Sequence, residues 1–288
     1  MSDKFIDVLP PISVDVDHRR LEVPQAPARN YSFLGVKVRA MNFGELVDFV
    51  SQCDDPENPK LIFYHNLHSA YMFKKDPAFR AAYEQAAAVY IDGVPLIWAG
   101  RSLGLNLAIE DRITFVDSFE PLLAEAAGRK WRVFYLGSLP KVSAAGLPCL
   151  RHRFPSLMLE GRDGYFDQTL GCSETRKVIE EINEFKPQIL FVGLGMPRQE
   201  YWLAHNVSLL RANAIFTCGA TMDYVTGEIR RPPELMGKLG FYWLFRLFNQ
   251  PGYLWRRYLV EPWALLGLWL RDFIKSRRGK NSSSVLTM

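Results

Sequence analysis

The stretch Gln188 to Glu200, QILFVGLGMPRQE, limits the possible folds more than any other part of the chain. Ile189 to Val192 is a short apolar run of the kind that forms a strand buried on both faces. It stops at Gly193-Leu194-Gly195, where small residues allow a sharp turn and close approach by another molecule. Pro197 suits the first turn of a helix that would carry Arg198, Gln199 and Glu200. A strand, a glycine turn and a helix N-terminus together present free amide N–H groups at the strand's carboxyl end, which suits a phosphate. A plain βα turn is the alternative. Position 198 is Arg rather than a third glycine and no G-K-[ST] follows, so neither nucleotide-cofactor fingerprint is met.

The same alternation runs through much of the chain. Tyr31–Val38 reads as a first strand, and further strands are expected at Lys60–Tyr64, Val89–Ile91, Arg132–Leu136, Leu157–Glu160 and Ala214–Thr217. Helices are expected at 42–52, 69–75, 77–88, 94–103, 114–127, 140–153 and 174–185. Strands alternating with helices, several ending in Gly or Asp, predict an α/β fold: a doubly wound, Rossmann-like parallel sheet with ligands at the strand carboxyl ends. Residues 1–30 hold four prolines without periodicity and read as an irregular lead-in. Residues 31–227 form the expected core, and 228–288 a C-terminal appendage.

Charge separates that appendage from the body. It holds 11 Lys and Arg against 4 Asp and Glu, leaving 24 against 27 for the rest of the chain. Trp243, Trp255, Trp263 and Trp269 lie there too. A basic, tryptophan-rich tail on a mildly acidic body points to a membrane surface or a polyanion. The segment Leu259 to Ile274 is too short to span a bilayer and contains Glu261, Pro262, Arg271 and Asp272, so an amphipathic helix lying in the interface fits it better. A core helix packed on the sheet is the alternative. Cys53, Cys149, Cys172 and Cys218 are scattered, and no basic flank precedes an apolar run at the N-terminus; both features predict a reduced, cytoplasmic protein.

Several residues at predicted strand ends can do chemistry. Asp92, between Ile91 and Gly93, can act as a general base or simply form an Asp-Gly turn. Asn66 can hydrogen-bond a sugar or cap a helix, and Asp223 can hold a ribose or cap a helix. Gly137 and the glycines 193 and 195 mark turns open to a nucleotide. His65 and His68 are spaced H-x-x-H without a third ligand at a suitable distance, so no metal site is expected. The alternatives are a nucleotide-cofactor oxidoreductase, which would need G-x-G-x-x-G near the first βα turn that YSFLGVKVRAMNFG lacks, and a non-catalytic module that binds a membrane surface and a nucleotide; a nucleic-acid module has no recognised motif in the body.

Taken together, HNLHSAYMFKKDPAF, AVYIDGVPLIW, EDRITFVDSF, RVFYLGS, GYFD, FVGLGMPRQEYW, CGATMDYVTGEIRRPP, GFYWLFRL and QPGYLWRRYL resemble, in this order, the WecG/TagA/CpsF glycosyltransferase family. The resemblance covers Tyr31 to Leu259. It implies an inverting enzyme, with neither cofactor nor metal, that moves a sugar from a UDP-sugar donor to a polyprenyl diphosphate-linked sugar at the inner face of the plasma membrane. The pathway would be exopolysaccharide or other cell-surface polysaccharide synthesis. It implies Asp92 as the base, with Ile91 where the family has proline. Tyr64 and Asn66 fall on the family's T-x-N, Arg112 on a pocket arginine, and Gln199 on the glutamine of the Q-E pair. Arg246 and Arg256 fall on appendage arginines that complete the active site; Tyr253 replaces a third, whose role Arg257 can take. Association into an oligomer is compatible with all of this.

Overall fold

A computed structural model describes residues 29–232, 236 and 242–283. The irregular lead-in expected for residues 1–30 lies almost wholly outside the described residues. The expected parallel sheet is present: β3 (Lys60–His65), β4 (Ala88–Ile91), β5 (Arg132–Gly137), β6 (Met158–Arg162), β7 (Ile189–Gly193) and β8 (Ala214–Thr217) stand in the order β4-β3-β8-β7-β5-β6. All five residues of β7 and all four of β8 are buried, which is why their sequences are continuously apolar instead of alternating.

The chain divides into two compact units. The first comprises Glu45–Ile62 and Phe115–Arg231. It holds α1 (Phe43–Ser51) from Glu45 onward, then α5 (Phe115–Gly128), α6 (Pro140–Arg153), α7 (Ser173–Phe185), α8 (Arg198–Asn206) and the short α9 (Thr221–Val225). Its core is aromatic: the rings of Phe115, Phe119, Phe191 and Phe216 pack with centroids 5.0 to 6.2 Å apart. Edge-to-face and tilted pairs of this kind add to what burial alone contributes.

The second unit contains residues 29–44, Phe63–Thr114 and the described residues beyond Arg231. Here the single strand expected from Tyr31 to Val38 is instead an antiparallel hairpin, β1 (Arg29–Phe33) and β2 (Val36–Ala40). Leu34 and Gly35 both adopt positive φ, 51° and 86°, as a two-residue hairpin turn requires, and Gly35 supplies that freedom. Helices α2 (Leu67–Lys75), α3 (Pro77–Glu84) and α4 (Val94–Ser102) follow the strands. The appendage forms α10 (Tyr242–Asn249), α11 (Pro251–Leu259) and α12 (Glu261–Ser283).

Helix α12 is held along one face. The Glu261 carboxylate contacts His68 Nδ1 at 2.6 Å, the Ala264 carbonyl accepts from Lys74 Nζ at 2.7 Å, Trp269 Nε1 donates to Ser102 Oγ at 2.9 Å, and Asp272 accepts from the Leu34 N–H at 2.9 Å. Leu265 is buried on the same face. Trp263, Leu266, Leu270 and Ile274 are exposed, and their spacing puts them in one stripe on the other side. The helix is therefore packed on one side, against α2, α4 and the hairpin turn, and apolar on its open side. No helix among the described residues is long and apolar enough to cross a membrane.

Candidate active site

Asp92 follows β4, and its backbone N–H donates to the His65 carbonyl at the end of β3 at 2.8 Å. Asn66 is fixed first as a helix cap: its Oδ1 accepts from the Ser69 N–H at 3.1 Å, and Ser69 Oγ accepts from the Asn66 N–H in return. This leaves Asn66 Nδ2 to donate to Asp92 Oδ2 at 3.3 Å. The two roles that the sequence left open for Asn66 are thus filled by opposite ends of one amide. Burial raises the pKa of Asp92; hydrogen bonds from Asn66 and Thr114 and the charges of Arg112 and Arg257 oppose the rise. A half-buried carboxylate with a raised pKa and cations near it is suited to accept a proton.

The charge of Arg257, on α11 of the appendage, acts on Asp92. Arg256 is exposed, and Arg246 is half-buried on α10. Tyr64 presents its carbonyl to the Tyr83 hydroxyl at 2.6 Å, and its ring lies 6.4 Å from that of Tyr90. His65 is buried, bonded through Nδ1 to Ser69 Oγ at 2.8 Å, and burial lowers its pKa to about 3, so it stays neutral. Thr114, two residues after Arg112, joins this group through its hydrogen bond to Asp92.

In the first unit the connections from β5 and β7 leave in opposite directions, to β6 on one side and β8 on the other. Ligands bind at such a reversal, at the strand carboxyl ends. The residues there are Gly137 and Gly193, which are paired in register. A Cβ on Gly137 would stand 2.5 Å from the Gly193 carbonyl oxygen, and one on Gly193 would stand 2.8 Å from the Gly219 carbonyl oxygen. Both glycines are therefore required by backbone packing, whatever else they do. Gly195, at φ 79°, turns the chain into α8. Neither α6 nor α8 has a side-chain N-cap, so first-turn N–H groups beside both turns suit an anion.

Ser138, with φ 62°, shares a hydrogen bond with Tyr135 Oη at 2.9 Å and donates to Asp223 Oδ2 at 3.4 Å. A serine after a strand-end glycine is common in turns, so the sequence alone does not set Ser138 apart. Gln199 is completely buried. Its Oε1 accepts from the Gly219 N–H at 3.1 Å and its Nε2 donates to Glu200 Oε1 at 2.8 Å. It thus braces the turn after β8 and does not present its amide to solvent.

A family model described as Glycosyl transferase WecG/TagA/CpsF family matches residues 31–279. The chain is 27% identical over 223 residues to an N-acetylglucosaminyldiphosphoundecaprenol N-acetyl-beta-D-mannosaminyltransferase of Bacillus spizizenii, covering 76% of this chain and 83% of that protein. It is 28% identical over 189 residues to the protein of the same name from Staphylococcus aureus, covering 66% of this chain and 68% of the other.

Proposed function

The chain belongs to the WecG/TagA/CpsF family of glycosyltransferases, and from that premise we propose that it moves a sugar from a UDP-sugar to a polyprenyl diphosphate-linked N-acetylglucosamine. The product would serve cell-surface polysaccharide synthesis. The carrying observation is the Asp92 carboxylate, held by Asn66 and Thr114 and offset in charge by Arg112 and Arg257. Asp92 takes the proton of the acceptor hydroxyl as that oxygen attacks the anomeric carbon. The bond from that carbon to the donor diphosphate breaks, its electron pair leaves with UDP, and the anomeric configuration inverts. Guanidiniums of Arg112 and Arg257, with Arg246 and Arg256 from the same appendage, offset the charge on the departing diphosphate through paired hydrogen bonds.

The glycine turns at Gly137, Gly193 and Gly195 receive the nucleotide, and Asp223 with Ser138 offers acceptors to its ribose. Gln199 acts by holding the turn that leads to Asp223. The exposed stripe Trp263, Leu266, Leu270 and Ile274, with Arg271, Lys275 and Arg277 on the same helix, rests on an anionic membrane surface where the lipid acceptor lies. The test supplies labelled UDP-sugars and the lipid-linked acceptor, with and without EDTA. Label entering the lipid in both arms supports this reading; no transfer from any UDP-sugar refutes it.

A further inference from the structure

Glu200 has no part in the chemistry above, yet it is completely buried in the first turn of α8. Its Oε1 accepts from Gln199 Nε2 at 2.8 Å, and its Oε2 has no hydrogen-bond partner among the described residues. The orientation of the Gln199 amide follows from its other contact. The Gly219 N–H can only donate, so it faces Gln199 Oε1 at 3.1 Å, and Nε2 is left to point at Glu200. Gly219 is the hinge of the turn from β8 to α9, at φ 54°, and its carbonyl would stand 2.8 Å from a Cβ on Gly193. One carboxyl therefore sets an amide, and the amide joins the turns at the ends of β7 and β8.

We propose that Glu200 is a positioning residue whose neutral carboxyl locks the Gln199 amide, and through it the Gly219 turn that carries Asp223. Burial raises the pKa of Glu200 to about 7, opposed only by hydrogen bonds from Gln199 and its own backbone N–H; no charged side chain among the described residues contributes. The neutral form is thus well populated near neutral pH, because ionisation would place a charge in a buried site with no cation among the described residues to offset it. The folded-state pKa lies above the ordinary value, so the native state holds a proton that the unfolded chain has released. Stability contributed by the neutral carboxyl is present at low pH and lost as pH rises toward and through about 7.

The deeper reading, that this lock prepares the nucleotide turn, rests on the proposed donor site; the lock itself does not. The experiment accordingly has two arms, run on the full-length protein and on Glu200→Gln and Glu200→Ala. Hydrogen exchange of the peptide containing Gly219 reads the lock directly. Glu200→Ala is expected to raise exchange at least tenfold, and Glu200→Gln, the neutral isostere, to keep it within about threefold of the parent. Thermal unfolding of the parent should fall between pH 5 and 8 by a component missing in Glu200→Gln. Unchanged exchange in Glu200→Ala, or Glu200→Gln exchanging as fast as Glu200→Ala, overturns the proposal. Should Glu200→Ala fail to fold, the comparison of Glu200→Gln with the parent at pH 8 decides: equal or slower exchange supports the lock, faster exchange overturns it. In the second arm UDP affinity should drop about tenfold in Glu200→Ala and recover in Glu200→Gln. A parent protein that binds no UDP would count against the donor site, while the exchange arm still judges the lock.

Discussion

Asp92 is tuned by burial against two hydrogen bonds and two guanidiniums, and the balance makes its titration adjustable residue by residue. Removing a positive charge beside a carboxylate raises its pKa. Arg257→Met should therefore move the acid limb of the pH–rate profile to higher pH, where Arg256→Met should leave the limb in place. A limb that shifts with Arg256 and not with Arg257 would reverse the assignment of the two. The sequence named both arginines but could not order them. They are neighbours on one helix, and only the direction in which α11 presents its side chains separates an exposed guanidinium from one whose field reaches Asp92. Asn66 was easier to read, since a strand-end Asn before Leu-His-Ser already looks like a cap; the second use of its amide depends on Asp92, 26 residues later.

At the scale of elements, the glycine pair at the ends of β5 and β7 carries the nucleotide turn. Gly137→Ala puts a methyl group against the backbone of Gly193, a contact that no side-chain rotation relieves. The expected cost is about 1–3 kcal/mol, read as a lower thermal midpoint, together with loss of UDP binding. An unchanged midpoint would show that the strands separate more readily than their packing indicates. These strands were legible because parallel strands buried on both faces are continuously apolar. The hairpin at the start of the core was not. Its outward-facing residues interrupt nothing that a single strand would not also show, and the positive φ of Leu34 is set by its surroundings, including the Asp272 carboxylate that accepts its N–H. Asp272→Ala should destabilise by about 1 kcal/mol, measured by denaturant unfolding; no change would mean that this bond contributes nothing to holding α12.

For the molecule as a whole, the basic and aromatic tail was the clearest signal in the composition, and within it helix α12 divides into a packed face and an exposed apolar one. Replacing Leu266, Leu270 and Ile274 together with serine removes exposed apolar groups without touching Glu261, Leu265, Trp269 or Asp272 on the packed face. Binding to anionic vesicles should weaken at least tenfold, and binding of the parent should fall with added salt. Vesicle binding that survives the triple replacement would place the contact elsewhere. The central claim is nevertheless chemical: a carboxylate at the end of β4 removes the acceptor's proton. Turnover of Asp92→Asn against the parent, with UDP-sugar and a polyprenyl diphosphate-linked N-acetylglucosamine, tests it most directly. The account predicts that kcat falls about 10²–10⁴-fold while UDP affinity stays within about threefold; a variant that turns over within a few-fold of the parent contradicts it.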